Sequence, residues 1–288
     1  MKMGPQRAAL AALVCVVALT VGVSARSGAA SDIPVPPPIS KCKTLVKSEV
    51  KTHGKLTVAT DSPALEPWFM NNDPANQMGY ESAVAYHIAT ELGFKASQVV
   101  WYSEPYWLSE TAGKKRFDFD INELIYDAKL TSKVTFSKSY FNVNQSLVTV
   151  KGNAIIAHHS PSALKTYLYG DVTGSAGLAF IKGQIRPNRA PQVFSTMALA
   201  LAALESKKID AIVVETPNGQ VIAKQLTDGV QVAQFHTTNQ HYAIVFQRKS
   251  PIAACVDSAI ASLTRKGELA TLSKKYLAIY NSIPVIKP

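Results

Sequence analysis

Acids stand at the ends of apolar or aromatic runs in this 288-residue sequence. Asp61 closes the run Lys55-Leu56-Thr57-Val58-Ala59-Thr60, Glu123 follows Phe117 to Asn122, and Glu215 closes Ile209 to Val214. Glu66 adds a fourth carboxylate, and Trp68, Phe69, Tyr106 and Tyr126 supply rings. Carboxylates with rings suit a cationic or amine-bearing ligand, held by ion pairs and cation–π contact. Ser175 lies in the Gly-containing turn Thr173 to Gly177, which opens a short helix whose amides favour a polar or anionic group. Nucleophilic chemistry has no motif here: there is neither a nucleophile elbow nor a His-Glu-x-x-His pair. His158 and His159 are adjacent, would point oppositely in a strand, and fit a surface loop better than a metal pair. No catalytic residue, metal site or cofactor is implied.

The elements that must position these side chains follow from the hydrophobic period. Phe117-Asp118-Phe119-Asp120-Ile121 alternates ring and acid, the period of a strand with one buried face. Asn122 and Glu123 leave that strand at its carboxyl end, where open α/β sheets bind ligands. The spacing predicts strands at Lys55 to Thr60 and Gln98 to Tyr102. Between them it predicts a helix over Tyr80 to Leu92, with Val84, Ile88 and Leu92 on one stripe and Gly93 as its stop. A second series is expected beyond Ser146 to Val150. It comprises a short helix from Ser160, strands at Thr166 to Tyr169 and Gln192 to Phe194, and a helix over Ser195 to Ser206. Ile209 to Glu215 then reads as a buried parallel strand. Tyr242 to Gln247 reads as a returning strand, followed by closing helices over Ile252 to Lys266 and Glu268 to Leu277. This rhythm predicts α/β architecture with mostly parallel sheets.

The amino terminus is set apart. Lys2 and Arg7 precede the apolar run Ala8 to Val23 and the small residues Ser24 and Ala25, the pattern of an export signal over residues 1–30. Cleavage after Ala25 or near Ala30 and retention as an anchor both stay open, and Val14 before Cys15 argues against a lipid anchor. Residues 31–53 read as a Pro-rich tether and amino-terminal segment. The formal net charge is +10, but the basic residues are scattered without a recognition motif, which argues against nucleic acid. In an exported chain, Cys42 and Cys255 suggest one disulfide, with two free thiols as the alternative.

Four stretches carry a resemblance. Phe136-Ser137-Lys138-Ser139-Tyr140 resembles the Phe-Ser-x-Pro-Tyr that closes the binding-site segment of the polar amino-acid family of periplasmic solute-binding proteins. Those proteins are the soluble receptors of ABC importers (type II, family 3). Gly54 to Asp61 and Gly79-Tyr80-Glu81 are similar to that family's opening strand and helix, and Ile209 to Glu215 to its Val-Asp-Ala-x-x-x-Asp. The likeness covers about Gly54 to Leu277. It implies a two-lobed type II periplasmic-binding-protein fold, each lobe a mostly parallel sheet flanked by helices, joined by two hinge strands. The first lobe would comprise 54–142 plus 242–288 and the second 143–241, with crossings near Asn142 to Gln145 and Thr237 to Tyr242.

The resemblance further implies a monomeric, non-enzymatic, extracytoplasmic protein that hands a small solute to ABC permease subunits. Position by position it places Asp61, Trp68, Phe69, Tyr106, Asn122, Glu123, Tyr126, Ser175 and Glu215 around the ligand. One departure is sharp. The family's carboxylate-gripping Arg falls on Leu130 and its Ser on Ile125, so neither the bidentate match nor the hydroxyl is supplied. A free α-amino acid is therefore expected to bind poorly unless Lys129 or Lys133 replaces that Arg. The expected solute is cationic and lacks a free α-carboxylate, with a sugar-like or polar aromatic compound as the competing class. A sensory or partner-binding protein on the same fold is the further alternative.

Overall fold

Leu56–Thr60, five consecutive buried residues, forms the inner strand β1 of the first of two larger sheets in the computed structural model, which describes residues 36–237 and 240–286. Numbered in chain order, the others are β2 (Val99–Ser103), β3 (Phe119–Asp120), β4 (Val134–Asn142), β5 (Gln145–Val150) and β6 (Gly170–Val172). They continue with β7 (Gln192–Phe194), β8 (Ile212–Glu215), β9 (Gly229–Phe235), β10 (His241–Gln247) and β11 (Val285–Ile286). The first sheet runs β2-β1-β3-β10-β4, with β2 and β3 parallel to β1 and β10 antiparallel to both its neighbours. The second runs β11-β9-β5-β8, and a parallel bridge from Tyr169 to Ala211 brings the pair β6-β7 alongside β8.

Helices cover the first sheet. The Tyr80–Glu91 helix buries Val84 and Ile88, with Leu92 at its end, against Val256, Ile260 and Leu263 of the Ala253–Arg265 helix. The expected stripe is present. The helix start is tied to the preceding loop: the Tyr80 amide donates to the Pro67 carbonyl at 3.0 Å and the Glu81 amide to that of Trp68 at 3.0 Å. Gly79, at φ 103°, permits this approach, since a Cβ there would collide with the Trp68 carbonyl.

Burial departs from the alternating pattern at β3. Phe117, Phe119 and Ile121 are buried, but so are Asp118 and Asp120, because the segment lies inside the sheet with both faces covered. Asp118 is accommodated by hydrogen bonds, whereas Asp120 is satisfied at one oxygen only, its buried Oδ1 having no partner among the described residues. Asp118 accepts from the Thr57 amide at 2.7 Å, the Thr57 hydroxyl at 2.6 Å and the Lys51 amide at 2.8 Å, and Asp120 accepts from the Ser109 hydroxyl.

Four further expectations are corrected. The apolar run before Glu215 is buried, but β8 pairs antiparallel with β5 and makes its parallel contact only through the Tyr169–Ala211 bridge. The strand expected over Thr166 to Tyr169 begins instead at Gly170. The supposed tether contains a helix, Ile39–Glu49, which buries Cys42 and Val46. Cys42 is disulfide-bonded to Cys255. The first lobe does not keep the chain to its end: β11 pairs with β9 of the second sheet. The export signal over 1–30 and part of the second crossing, residues 238–239, lie outside the described residues.

Candidate functional site

Glu81, in the first turn of the Tyr80–Glu91 helix, is fully buried. One carboxylate oxygen, Oε1, accepts the Glu123 amide at 2.7 Å and the Tyr140 hydroxyl, while Oε2 has no partner among the described residues. Burial pushes its carboxyl up to about 7, against the opposing hydrogen bonds from Tyr140 and Glu123. Glu123 itself leaves β3 at φ 51°, a left-handed backbone that a non-glycine residue adopts at a cost. Its carboxyl is held well above the ordinary carboxylate range by burial, then by the charges of Glu81, Asp61 and Glu215, with the Tyr242 hydroxyl offsetting part of this. Carboxylates from both lobes thus share one electrostatic field.

The second lobe contributes Glu215 at the end of β8. It precedes the Thr216–Ala223 helix without a side-chain cap bond, so its carboxylate is not spent on the helix start. Gln145 lies directly opposite Glu215 in the antiparallel register, which puts the two side chains on one face. Gln145 is fully buried; its Nε2 donates to Gln240 Oε1 at 2.6 Å, and its Oε1 has no partner. Behind Glu215, the buried Asp171 accepts from the Ser175 hydroxyl at 3.0 Å and the Val172 amide at 2.7 Å. Burial nevertheless raises its carboxyl to about 6.

Rings wall the first-lobe side. Trp68, 2% exposed, meets Tyr80, Phe141 and Tyr242 edge-on and stacks on Tyr280 with centroids 6.4 Å apart. Tyr280 comes from the short Ala278–Asn281 helix that leads to β11, and burial with the nearby Glu123 charge raises its hydroxyl to about 12.

The residues singled out from sequence fall into three positions. Asp61, Glu123 and Glu215 share the common field, and Asn122 beside them keeps a buried Nδ2 without a partner while its Oδ1 lies 3.5 Å from the Thr60 hydroxyl. Trp68 and Phe69 are buried in the first-lobe core, Phe69 edge-on to Trp101. Tyr106, Tyr126 and Ser175 stand further out. Tyr106 is 54% exposed and its amide donates to Asp61 Oδ1 at 3.1 Å; Tyr126 stacks on His241; Ser175 caps the Ala176–Phe180 helix.

Leu130 packs against the apolar cluster of Leu124, Val134, Phe136, Ala243 and Val245, and Ile125 against the main core. Glu81, Tyr140, Gln145, Tyr242 and Tyr280 were not singled out, although Glu81 stands in the quoted Gly79-Tyr80-Glu81. A groove of about 540 Å³ lined by Lys151, Lys224, Asp228 and Ile283, among others, contains none of the acids of this cluster.

The model of the family described as "Bacterial extracellular solute-binding proteins, family 3" matches residues 56–279. No curated protein matches the sequence. Among solved structures, an amino acid ABC transporter substrate-binding protein from Streptococcus pneumoniae bound to L-arginine is 21% identical, with a TM-score of 0.54, over 79% of this chain and 96% of its own. An ancestral arginine-binding protein bound to arginine is 22% identical, with a TM-score of 0.54, over 78% and 98%. A third is an ancestral amino acid-binding protein described as a precursor of cyclohexadienyl dehydratase. It is 20% identical, with a TM-score of 0.54, over 82% and 98%.

Proposed function

Because the chain belongs to the bacterial extracellular solute-binding proteins of family 3, we propose that it captures a small cationic or amine-bearing solute, lacking a free α-carboxylate, between its lobes. It then delivers that solute to the membrane subunits of an ABC importer. The observation that carries the ligand class is the shared field of Asp61, Glu81, Glu123 and Glu215. Among the described residues no Lys, Arg or His forms an ion pair with any of the four. A protonated amine placed between these carboxylates supplies the missing charge and the missing donors.

The other half of the argument is Leu130, whose side chain is committed to an apolar cluster. A buried carboxylate with no cation to receive it costs several kcal/mol, against only about 8 kcal/mol for a whole micromolar site. The protein binds without turning its ligand over, acts as a monomer, and works outside the cytoplasm after export by residues 1–30. Among the described residues no helix is long and apolar enough to cross a membrane.

The test is a thermal-shift panel of plain amino acids, carboxylate-free amines and guanidines, and sugars. At 100-fold excess over Kd a true ligand adds about 2.7 kcal/mol of stability. The expected result is a shift with carboxylate-free cations only. A comparable shift with arginine or glutamate would sink the ligand class and bring Lys129 or Lys133 into the role of the family's Arg. Silence across the panel together with a stable protein complex would replace transport by partner binding.

A further inference from the structure

The acids are divided between the lobes in a way that specifies more than a positive charge. On the first lobe, Glu123 is joined to Glu81 through its own amide, and Glu81 keeps a fully buried oxygen, Oε2, without a donor. On the second, Glu215 shares a sheet face with Gln145, whose fully buried Oε1 is likewise without a donor. Buried acceptors are nearly always satisfied in a working state, and an orphan costs about as much as a lost hydrogen bond. The first lobe therefore presents Glu123 beside the unpartnered oxygen of a second carboxylate, Glu81, and the second lobe presents Glu215 beside the unpartnered amide oxygen of Gln145; neither pair has a cation of its own among the described residues.

A single ammonium has three donors and one charge. Placed on one lobe, it would leave the other pair unsatisfied when the lobes close, with an uncompensated carboxylate inside the cleft. We propose that the solute is a dication with donor-rich ends, one received by Glu123 and Glu81 on the first lobe and the other by Glu215 and Gln145 on the second. The span between its ends is aliphatic or aromatic. This assignment rests on the cationic-solute reading above and narrows it to one architecture: charge at both ends, so that closure itself is what the second charge drives.

The experiment uses the exported chain and calorimetric titration with straight α,ω-diamines and bis-guanidines of three to eight carbons, each beside the alkyl monoamine of equal length. The expected result is a length optimum, at which the dication binds about 30-fold or more tightly than its monoamine partner, the effect of one buried charge pair. Glu215→Gln and Glu123→Gln each bring the optimal dication down towards the monoamine value. The length series on the unaltered chain decides the matter even where a variant folds poorly. Monoamines binding within about tenfold of diamines would overturn the two-ended site while leaving the cationic-solute reading intact. Absence of binding by every amine and guanidine would overturn both.

Discussion

Glu123 occupies a backbone conformation, φ 51°, that costs a non-glycine residue roughly 1 kcal/mol, and it carries a carboxyl that burial and then the charges of Glu81, Asp61 and Glu215 hold well above the ordinary carboxylate range. Strain of this kind persists where a side chain is needed for function. Glu123→Gly keeps the amide that Glu81 accepts and removes both penalties. It should raise the melting temperature by about 2–4 °C per kcal/mol relieved while abolishing cation binding. A variant that loses both stability and binding would make Glu123 a structural residue.

The neighbouring carboxyl gives a pH signature. Glu81 is raised from 4.5 to about 7 and Asp171 from 3.8 to about 6, so within those windows the folded state holds protons that the unfolded chain has released. Stability therefore falls as pH rises from the unfolded values through the folded ones. Denaturant midpoints recorded across that range should decline, and Glu81→Gln should flatten the decline in its window. At this scale the sequence was partly legible. Strand-end acids announce themselves, and Asp61, Glu123 and Glu215 do share one field. Glu81 was not legible, because an acid in a helix's first turn reads as an ordinary partner of the helix dipole.

Among the elements, the Ile39–Glu49 helix is the least expected. It follows a Pro-rich run, buries only Cys42 and Val46 one turn apart, and exposes most of its remaining surface, so neither propensity nor period announces it. Its anchorage is covalent: Cys42 joins Cys255 on the Ala253–Arg265 helix across 213 residues of chain. Ser258 of that helix also donates to the Pro37 carbonyl at 2.6 Å. Cys42→Ser with Cys255→Ser should cost about 2–5 kcal/mol. The amides of the Ile39–Glu49 helix should then exchange with solvent faster than those of Tyr80–Glu91, measured by hydrogen–deuterium exchange. Equal protection of both helices would show that packing alone holds the segment. The direction of β8 escaped the sequence for a different reason. A continuous apolar run reports that a strand is buried on both faces, and burial carries no information about which neighbour it pairs with or in which sense.

Across the whole molecule, the two sheets are linked near Asn142 to Gln145 and again between β9 and β10, as the fold class requires. A further link runs from the closing helices through Tyr280 to β11. Gln234, buried in the second lobe, gathers this region: its Nε2 donates to the carbonyls of Tyr280 at 3.0 Å and Ile283 at 2.8 Å, and its Oε1 accepts from Asn144 at 2.8 Å. Solute capture should draw the lobes together, so small-angle scattering should record a smaller radius of gyration with the ligand than without it. An unchanged radius would mean that the lobes are already as close as the ligand requires.

The extra link also bears on time. Two crossings leave the lobes free to swing, whereas β11 adds backbone hydrogen bonds to β9 and anchors the ring that stacks on Trp68. Its removal touches neither Glu123 nor Glu215. A chain ending at Ser282 should therefore keep its selectivity among solutes and change mainly how long each one stays, with faster dissociation measured by stopped flow. A receptor must surrender its cargo as well as seize it, and the pairing of β11 with β9 is expected to slow that release.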